Sequence, residues 1–366
     1  MATVSHLTGP VLTGVDEVAA EAWVLDGRLT FERPRGAGHD VTTVSGWVIP
    51  GLVDAHCHVG WGEYGTIATP AEAERQASAD RDGGTLLIRD AGQPGDTRWI
   101  DERPDLPVII RAGKHIARTR RSLPNCAHEV EPEALAQCAA AEARRGDGWV
   151  KLVGDWILRE QGDLAPSWTP ESLRAAADAV HAEGARITAH CFGEEGLADL
   201  ITAGFDCLEH ATGLTDDTIG LAAEWGVTIV PTLVNIANFV DHAAAGERRY
   251  PRYATHMRDL HARRYQTVRA AHEAGVAIRA GTDAGPDVAH GRIVDEIVEL
   301  THAGLSPAAA LDAACWAARR WLGRPGLDEG ASADLLVVPT DPRRGLDALA
   351  ERTVVLRGVA HPVTAP

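Results

Sequence analysis

In GLVDAHCHVG (51–60), His56 and His58 stand one residue apart behind an apolar run, with Asp54 beside them. If the segment is a strand, side chains alternate with period two and both rings leave the same face. The pair alone is compatible with a metal site or with hydrogen-bonded core histidines. Further along lie His190 in TAHC, His210 in LEHA and Asp283 in AGTDAG. Each could be a satisfied buried polar group. Together, four imidazoles and a carboxylate make up the nitrogen and oxygen ligands that zinc favours. Lys151 in GWVKLVGDW is the remaining candidate. It can snorkel or pair with Asp155. Forced out of water, its pKa falls and the free amine can capture carbon dioxide as a carbamate, an anion able to bridge two ions.

From residue 48 to 305, short β-branched runs alternate with longer Ala-rich amphipathic runs, the pattern of parallel strands joined by helices. Strands are expected at 48–58, 85–92, 107–113, 149–155, 185–191, 205–211, 227–233 and 276–283. A helix such as PESLRAAADAVHAEG (170–184) has Pro near its start and Gly at its end. A doubly wound sheet would show the same alternation. The candidate ligands, however, fall at the C-terminal ends of the first, fourth, fifth, sixth and eighth strands, and a closed (β/α)8 TIM-like barrel brings those ends to one mouth. AWVLDGRLTF (22–31) reads as a hairpin turning at Asp-Gly, and 334–338 and 353–363 read as further strands. The expectation is an α/β fold: a barrel over 48–328, with a small β-sandwich from 1–47 and 329–366.

The 366 residues can bury one substantial core. A formal net charge of −17 argues against nucleic acid or an anionic membrane as partner. No apolar run approaches the roughly 20 residues of a spanning helix. The start lacks a basic leader ahead of an apolar core, so the chain is read as unexported and cytoplasmic. Six cysteines lack CxxC spacing, which suits a reducing compartment. The expected partner is a small-molecule substrate; homo-oligomerisation is compatible with the sequence.

The motifs PGLVDAHCH (50–58), VKLVGD (150–155), TAHCFGEEGLADLITAGFDCLEH (188–210), AGTDAGPDVAHG (280–291) and the tail 303–338 resemble the amidohydrolase superfamily, in its imidazolonepropionase-like and prolidase-type branch. The resemblance implies that His56, His58 and Asp283 hold a buried divalent ion and that His190 and His210 hold a more exposed one. Zinc is the preferred metal. Carboxylated Lys151 and a hydroxide would bridge the pair, and Asp283 would act as the base. The implied activity is hydrolysis of a C–N bond in a linear or cyclic amide or a dipeptide. A deaminase, or an ester, lactone or carbamate hydrolase, could use the same centre. Mononuclear deaminases of the superfamily carry a glutamate three residues after the fifth-strand histidine; here Gly193 holds that place and Glu194 follows. This favours a binuclear hydrolase over a mononuclear site with unmodified Lys151. The Gly-rich stretch associated with the dipeptidases is missing from AGKHIARTRRSLPN (112–125).

Loops after barrel strands line the mouth. Trp61 and Trp156 could form an apolar wall or pack on the rim, and His115 could hydrogen-bond a tetrahedral intermediate. ARTRR (117–121) and RRYPRY (248–253) are either carboxylate-binding clusters or solvated surface. His290 is a helix cap or a partner of a ligand. His181, His242, His256, His261, His272 and His302 are expected at the surface.

Overall fold

The computed structural model describes residues 4–35, 41–62 and 65–361. The chain starts with β1 (Val4–Leu12), β2 (Val18–Leu25), β3 (Arg28–Thr30), β4 (Val41–Ser45) and β5 (Trp47–Pro50). β2 and β3 form the expected hairpin; Asp26 and Gly27 at its turn have φ of 49° and 78°, the left-handed geometry that suits the twist of a two-residue connection.

The parallel strands follow: β6 (Leu52–Cys57), β7 (Thr85–Asp90), β8 (Val108–Arg111), β9 (Ile116–Arg118), β10 (His128–Val130) and β11 (Trp149–Val153). An antiparallel hairpin, β12 (Asp155–Leu158) with β13 (Asp163–Pro166), interrupts them. Next come β14 (Arg186–Cys191), β15 (Cys207–His210), β16 (Thr228–Val230) and β17 (Ala277–Ile278). Finally β18 (Leu335–Val338), β19 (Thr353–Leu356) and β20 (Val359–His361) return to the first sheet, in the order β20-β19-β18-β5-β1-β2-β3 with β4 on β1. Residues 362–363 of the last expected strand lie outside the described residues.

The segment expected as one strand over 48–58 is two elements. Residues Trp47–Pro50 pair with β18 and the chain passes to the parallel strands at Gly51, where a Cβ would lie 2.4 Å from the Leu86 side chain. The parallel strands form two sheets, β6-β7-β8 and β10-β9-β11-β14-β15-β16-β17. Backbone hydrogen bonds join their ends: Ala55 N to Ala280 O at 2.9 Å and Asp283 N to His56 O at 2.7 Å on one side, Asp147 N to Arg111 O at 2.8 Å on the other.

Helices cover the outside. In helix Pro170–Ala182, Leu173, Ala176, Ala177 and Val180 are buried, a stripe at helical spacing, and Thr169 Oγ1 caps the start by accepting from Ser172 N. The fold is thus α/β, with its polar residues gathered where the parallel strands end.

Candidate metal centre and active-site cavity

Period-two alternation along β6 sends His56 and His58 into the space enclosed by the strands and Cys57 outward, into an apolar cluster with Ala73 and Ala77. Lys151 lies between Val150 and Leu152 on β11, beside Thr188 of β14, and is buried. His190 is the penultimate residue of β14, and His210 closes β15. Non-glycine residues adopt the left-handed region around this point: His210 (φ 67°), Ala211 (51°), Thr232 (47°) and Asp283 (58°). Such conformations cost of the order of 1–3 kcal/mol each and persist where surrounding contacts over-determine them. The Asp54 carboxylate supplies some of those contacts, accepting from His56 N at 3.1 Å, Thr282 N at 3.0 Å and Thr282 Oγ1.

The candidate ligands meet. His56 Nε2 lies 3.2 Å from His58 Nε2 and 3.5 Å from Lys151 Nζ. Asp283 Oδ1 is 3.1 Å from His56 Nε2 and 2.9 Å from His58 Nε2, and Asp283 Oδ2 is 4.0 Å from His210 Nε2. His190 Nε2 is buried without a hydrogen-bond partner, with Asp155 Oδ1 at 3.5 Å. Lys151 therefore faces His56, whereas Asp155 is engaged by Phe192 N and Gly193 N, so the alternative Lys151–Asp155 pairing is not formed.

The far nitrogens are tied down. His56 Nδ1 donates to Glu209 Oε2 at 2.8 Å and His58 Nδ1 donates to Gly92 O at 2.6 Å; His210 Nδ1 pairs with Thr232 Oγ1 at 2.7 Å. A neutral imidazole donating through Nδ1 presents a lone pair at Nε2. Two such lone pairs at 3.2 Å, with His210 Nε2 and the Asp283 carboxylate beside them, repel unless a cation lies among them. This donor set fits a divalent ion, with the outward partners orienting its ligands.

Protonation follows the same charges. Burial pushes His58 down to about 4 and His190 down to about 3, and holds His210 and His115 well below the ordinary histidine range. Burial also lowers Lys151. His56 is raised, because the Asp283 and Glu209 carboxylates together outweigh burial and Lys151. Two anions flanking one ring call for a positive charge between them, which a proton or a metal ion can supply. Although burial alone would raise Asp283, the facing His56, His58 and His210 hold it well below the usual carboxylate range.

A cavity of about 270 Å³ opens over these groups, and His115, Trp61 and Trp156 line it. The Trp61 ring is 4.7 Å from His58 and 5.4 Å from His115. His242 also lines the cavity, and His256 is held between Asp163 Oδ1 at 2.9 Å and Glu194 Oε2 at 2.8 Å; neither is the plain surface residue expected. His290 pairs with Asp80 Oδ2 at 2.8 Å behind Cys57. Glu194 binds Arg263 and His256 and lines a separate recess.

Sequence reasoning missed Glu209, Thr232 and Asn235. Asn235 Nδ2 donates to Asp283 Oδ2 at 2.7 Å. Glu209 is fully buried and also accepts from Arg89 Nη2 at 2.6 Å and from Thr188 Oγ1. Its position next to His210 was the available signal, but strict alternation would turn neighbours to opposite faces; the left-handed φ at His210 lets both serve one site. Removal of the oriented acceptor in Glu209→Gln is expected to lower metal affinity about 10–100-fold, read by competition with a chromogenic chelator. An affinity within threefold of the parent would contradict that role.

A model of the amidohydrolase family matches residues 47–361. The chain belongs to the amidohydrolase family. As a member it is a hydrolase of amide-type carbon–nitrogen bonds. Uncharacterized proteins of Mycobacterium tuberculosis and Mycobacterium bovis are 56% identical over 345 residues, covering 94% of this amidohydrolase and 92% of their own length. Among solved structures, an Xaa-Pro dipeptidase with methionine in its active site superposes with a TM-score of 0.82 at 21% identity, covering 99% of this chain and 100% of that one. An ochratoxinase of A. niger gives 0.79 at 19% identity, with coverage of 98% and 96%. These likenesses imply a TIM-barrel-like α/β fold. Among the described residues no helix is long and apolar enough to cross a membrane.

Proposed function

We propose that this amidohydrolase is a metal-dependent enzyme that hydrolyses an amide or cyclic-amide bond of a small molecule or dipeptide, at the mouth of a closed eight-stranded barrel flanked by a small sandwich of the chain ends (1–47 and 329–366). The observation that carries the reading is the gathering of His56, His58, His210, Lys151 and Asp283, with His190 against His210, and with the outward nitrogens of His56, His58 and His210 already engaged. His56, His58 and Asp283 would hold one ion, His190 and His210 a second, with carboxylated Lys151 between; zinc suits these donors. Two divalent ions, when bound, make water nucleophilic at neutral pH and polarise a carbonyl.

The chain's own groups do the rest. Asp283, held by Asn235, takes the proton of the attacking water and delivers it to the departing nitrogen. His115, kept neutral by burial, donates a hydrogen bond to the oxygen on which charge develops. Trp61 and Trp156 restrict solvent access to the reacting bond.

Elemental analysis of the purified protein tests the reading. The expectation is one to two divalent ions per chain, with activity lost to a chelator and restored by zinc; less than one ion, with nothing restored, would refute it. Lys151→Ala is expected to lose the second ion and most activity, with partial rescue by short carboxylic acids. Full metal content and full activity in that variant would remove the carbamate while leaving the hydrolase standing.

A further inference from the structure

The cavity wall is apolar and aromatic, formed by Trp61, Trp156, Ile157, Leu164, Phe192 and Tyr253. Among the described lining residues the only lysine or arginine is Lys151, which lies on the floor against His56. The arginines that could have met a carboxylate are turned elsewhere. Arg121 Nη2 donates to the carbonyls of Trp156 at 3.0 Å and Ala165 at 2.6 Å, pinning the β12–β13 hairpin. Arg118 faces Ser167 O at 3.3 Å and Glu131 at 3.5 Å. Arg252 lines the separate recess, and Arg249 stacks on Tyr250. Of that basic segment, Tyr253 is the residue that reaches the cavity. At the rim stands Asp287, 63% exposed, with His242 Nε2 at 3.9 Å.

A carboxylate reaching away from the metal-binding floor would therefore leave water for an apolar wall with an anion at the entrance and no lysine or arginine there to receive it. Burying an unpaired carboxylate is strongly unfavourable, whereas an alkyl or aryl group gains from the same wall. We propose that the substrates are amides with uncharged alkyl or aryl groups on both sides of the scissile bond, and that free α-carboxylates, hence dipeptides and N-acyl amino acids, are discriminated against. This rests on the hydrolytic reading above and narrows it, setting its dipeptide substrates aside. In the reaction water adds oxygen to the acyl carbon, the C–N bond breaks and the nitrogen takes a proton, giving a carboxylic acid and an uncharged-side-chain amine.

The test uses compounds differing only in the carboxylate: N-hexanoyl-phenethylamine against N-hexanoyl-L-phenylalanine. A second pair carries CH2 in place of the amide NH, giving non-cleavable ketones whose binding is followed by calorimetry. The neutral amide is expected to show at least tenfold higher kcat/KM, and the neutral ketone at least tenfold tighter binding. Trp156→Ala, with its fold checked by circular dichroism, is expected to lose tenfold or more of that binding. Equal or better cleavage of the carboxylated amide overturns the proposal and leaves the hydrolase reading intact. If neither amide is cleaved while the neutral ketone binds tenfold tighter, the wall's selectivity stands and the hydrolytic reading fails. Failure of both ketones to bind, or unchanged binding in Trp156→Ala, overturns the proposal.

Discussion

Asp283→Asn is expected to lower kcat by about 10²–10⁴-fold, the range a positioned general acid–base group contributes. The substitution preserves volume, and an amide oxygen can still accept from Asn235. The backbone is held independently of the side chain, by Asp283 N on His56 O and by the grip of Asp54 on Thr282. What is lost is the carboxylate between His56 and His58 and its capacity to carry a proton. Steady-state kinetics, with metal content measured on the same samples, separate the two consequences: a fall in kcat with one or more ions retained identifies the proton carrier. A loss below tenfold with full metal content would rule that role out.

Arg89→Met should have the largest effect on stability, about 3–5 kcal/mol, because it strands the Glu209 carboxylate without its main partner in a fully buried position. Arg89 and Glu209 are both inaccessible to solvent, and Arg89 Nε also donates to Ala55 O at 2.7 Å. The guanidinium lies 4.6 Å from the Trp149 ring centroid and 5.0 Å from that of Trp321. Without this cation, the Glu209 pKa, now held well below the carboxylate range against burial, rises. The double variant Arg89→Met/Glu209→Gln is expected to recover part of the loss, since no charge is left unpaired. Urea-unfolding midpoints of the two singles and the double provide the check. Additive losses would show that the pair is not coupled.

The ligands written into regular strands were legible. Period two made His56 and His58 cofacial, Lys151 lay within a strand-like run, and His190 and His210 fell where such runs end. What was hidden lies where regularity stops. The ladder of the eighth expected strand covers only Ala277–Ile278; beyond it Gly281 lies so close to β6 that a Cβ would sit 2.7 Å from His56 N, and Thr282 N–H is shared between His56 O at 3.1 Å and Asp54 Oδ1 at 3.0 Å. The seventh ends at Val230, and left-handed Thr232 starts the short helix that delivers Asn235. Pairwise partners such as Glu209–Arg89 join distant strands and leave no local pattern. The β12–β13 hairpin, which brings Trp156, Ile157 and Leu164 to the cavity, carries too short an apolar repeat to stand out from a loop.

Strand β5 leads within a few residues to the histidine pair, yet one of its edges is completed by β18, near the other end of the chain. On a ribosome adding about 5–20 residues per second, that edge stays open for tens of seconds while the intervening strands emerge. Unpaired Trp47–Pro50 is an invitation to mispairing between nascent chains on one polysome. Overproduction at reduced temperature with a co-expressed trigger-type chaperone should thus raise the soluble yield more than any change made to the catalytic groups.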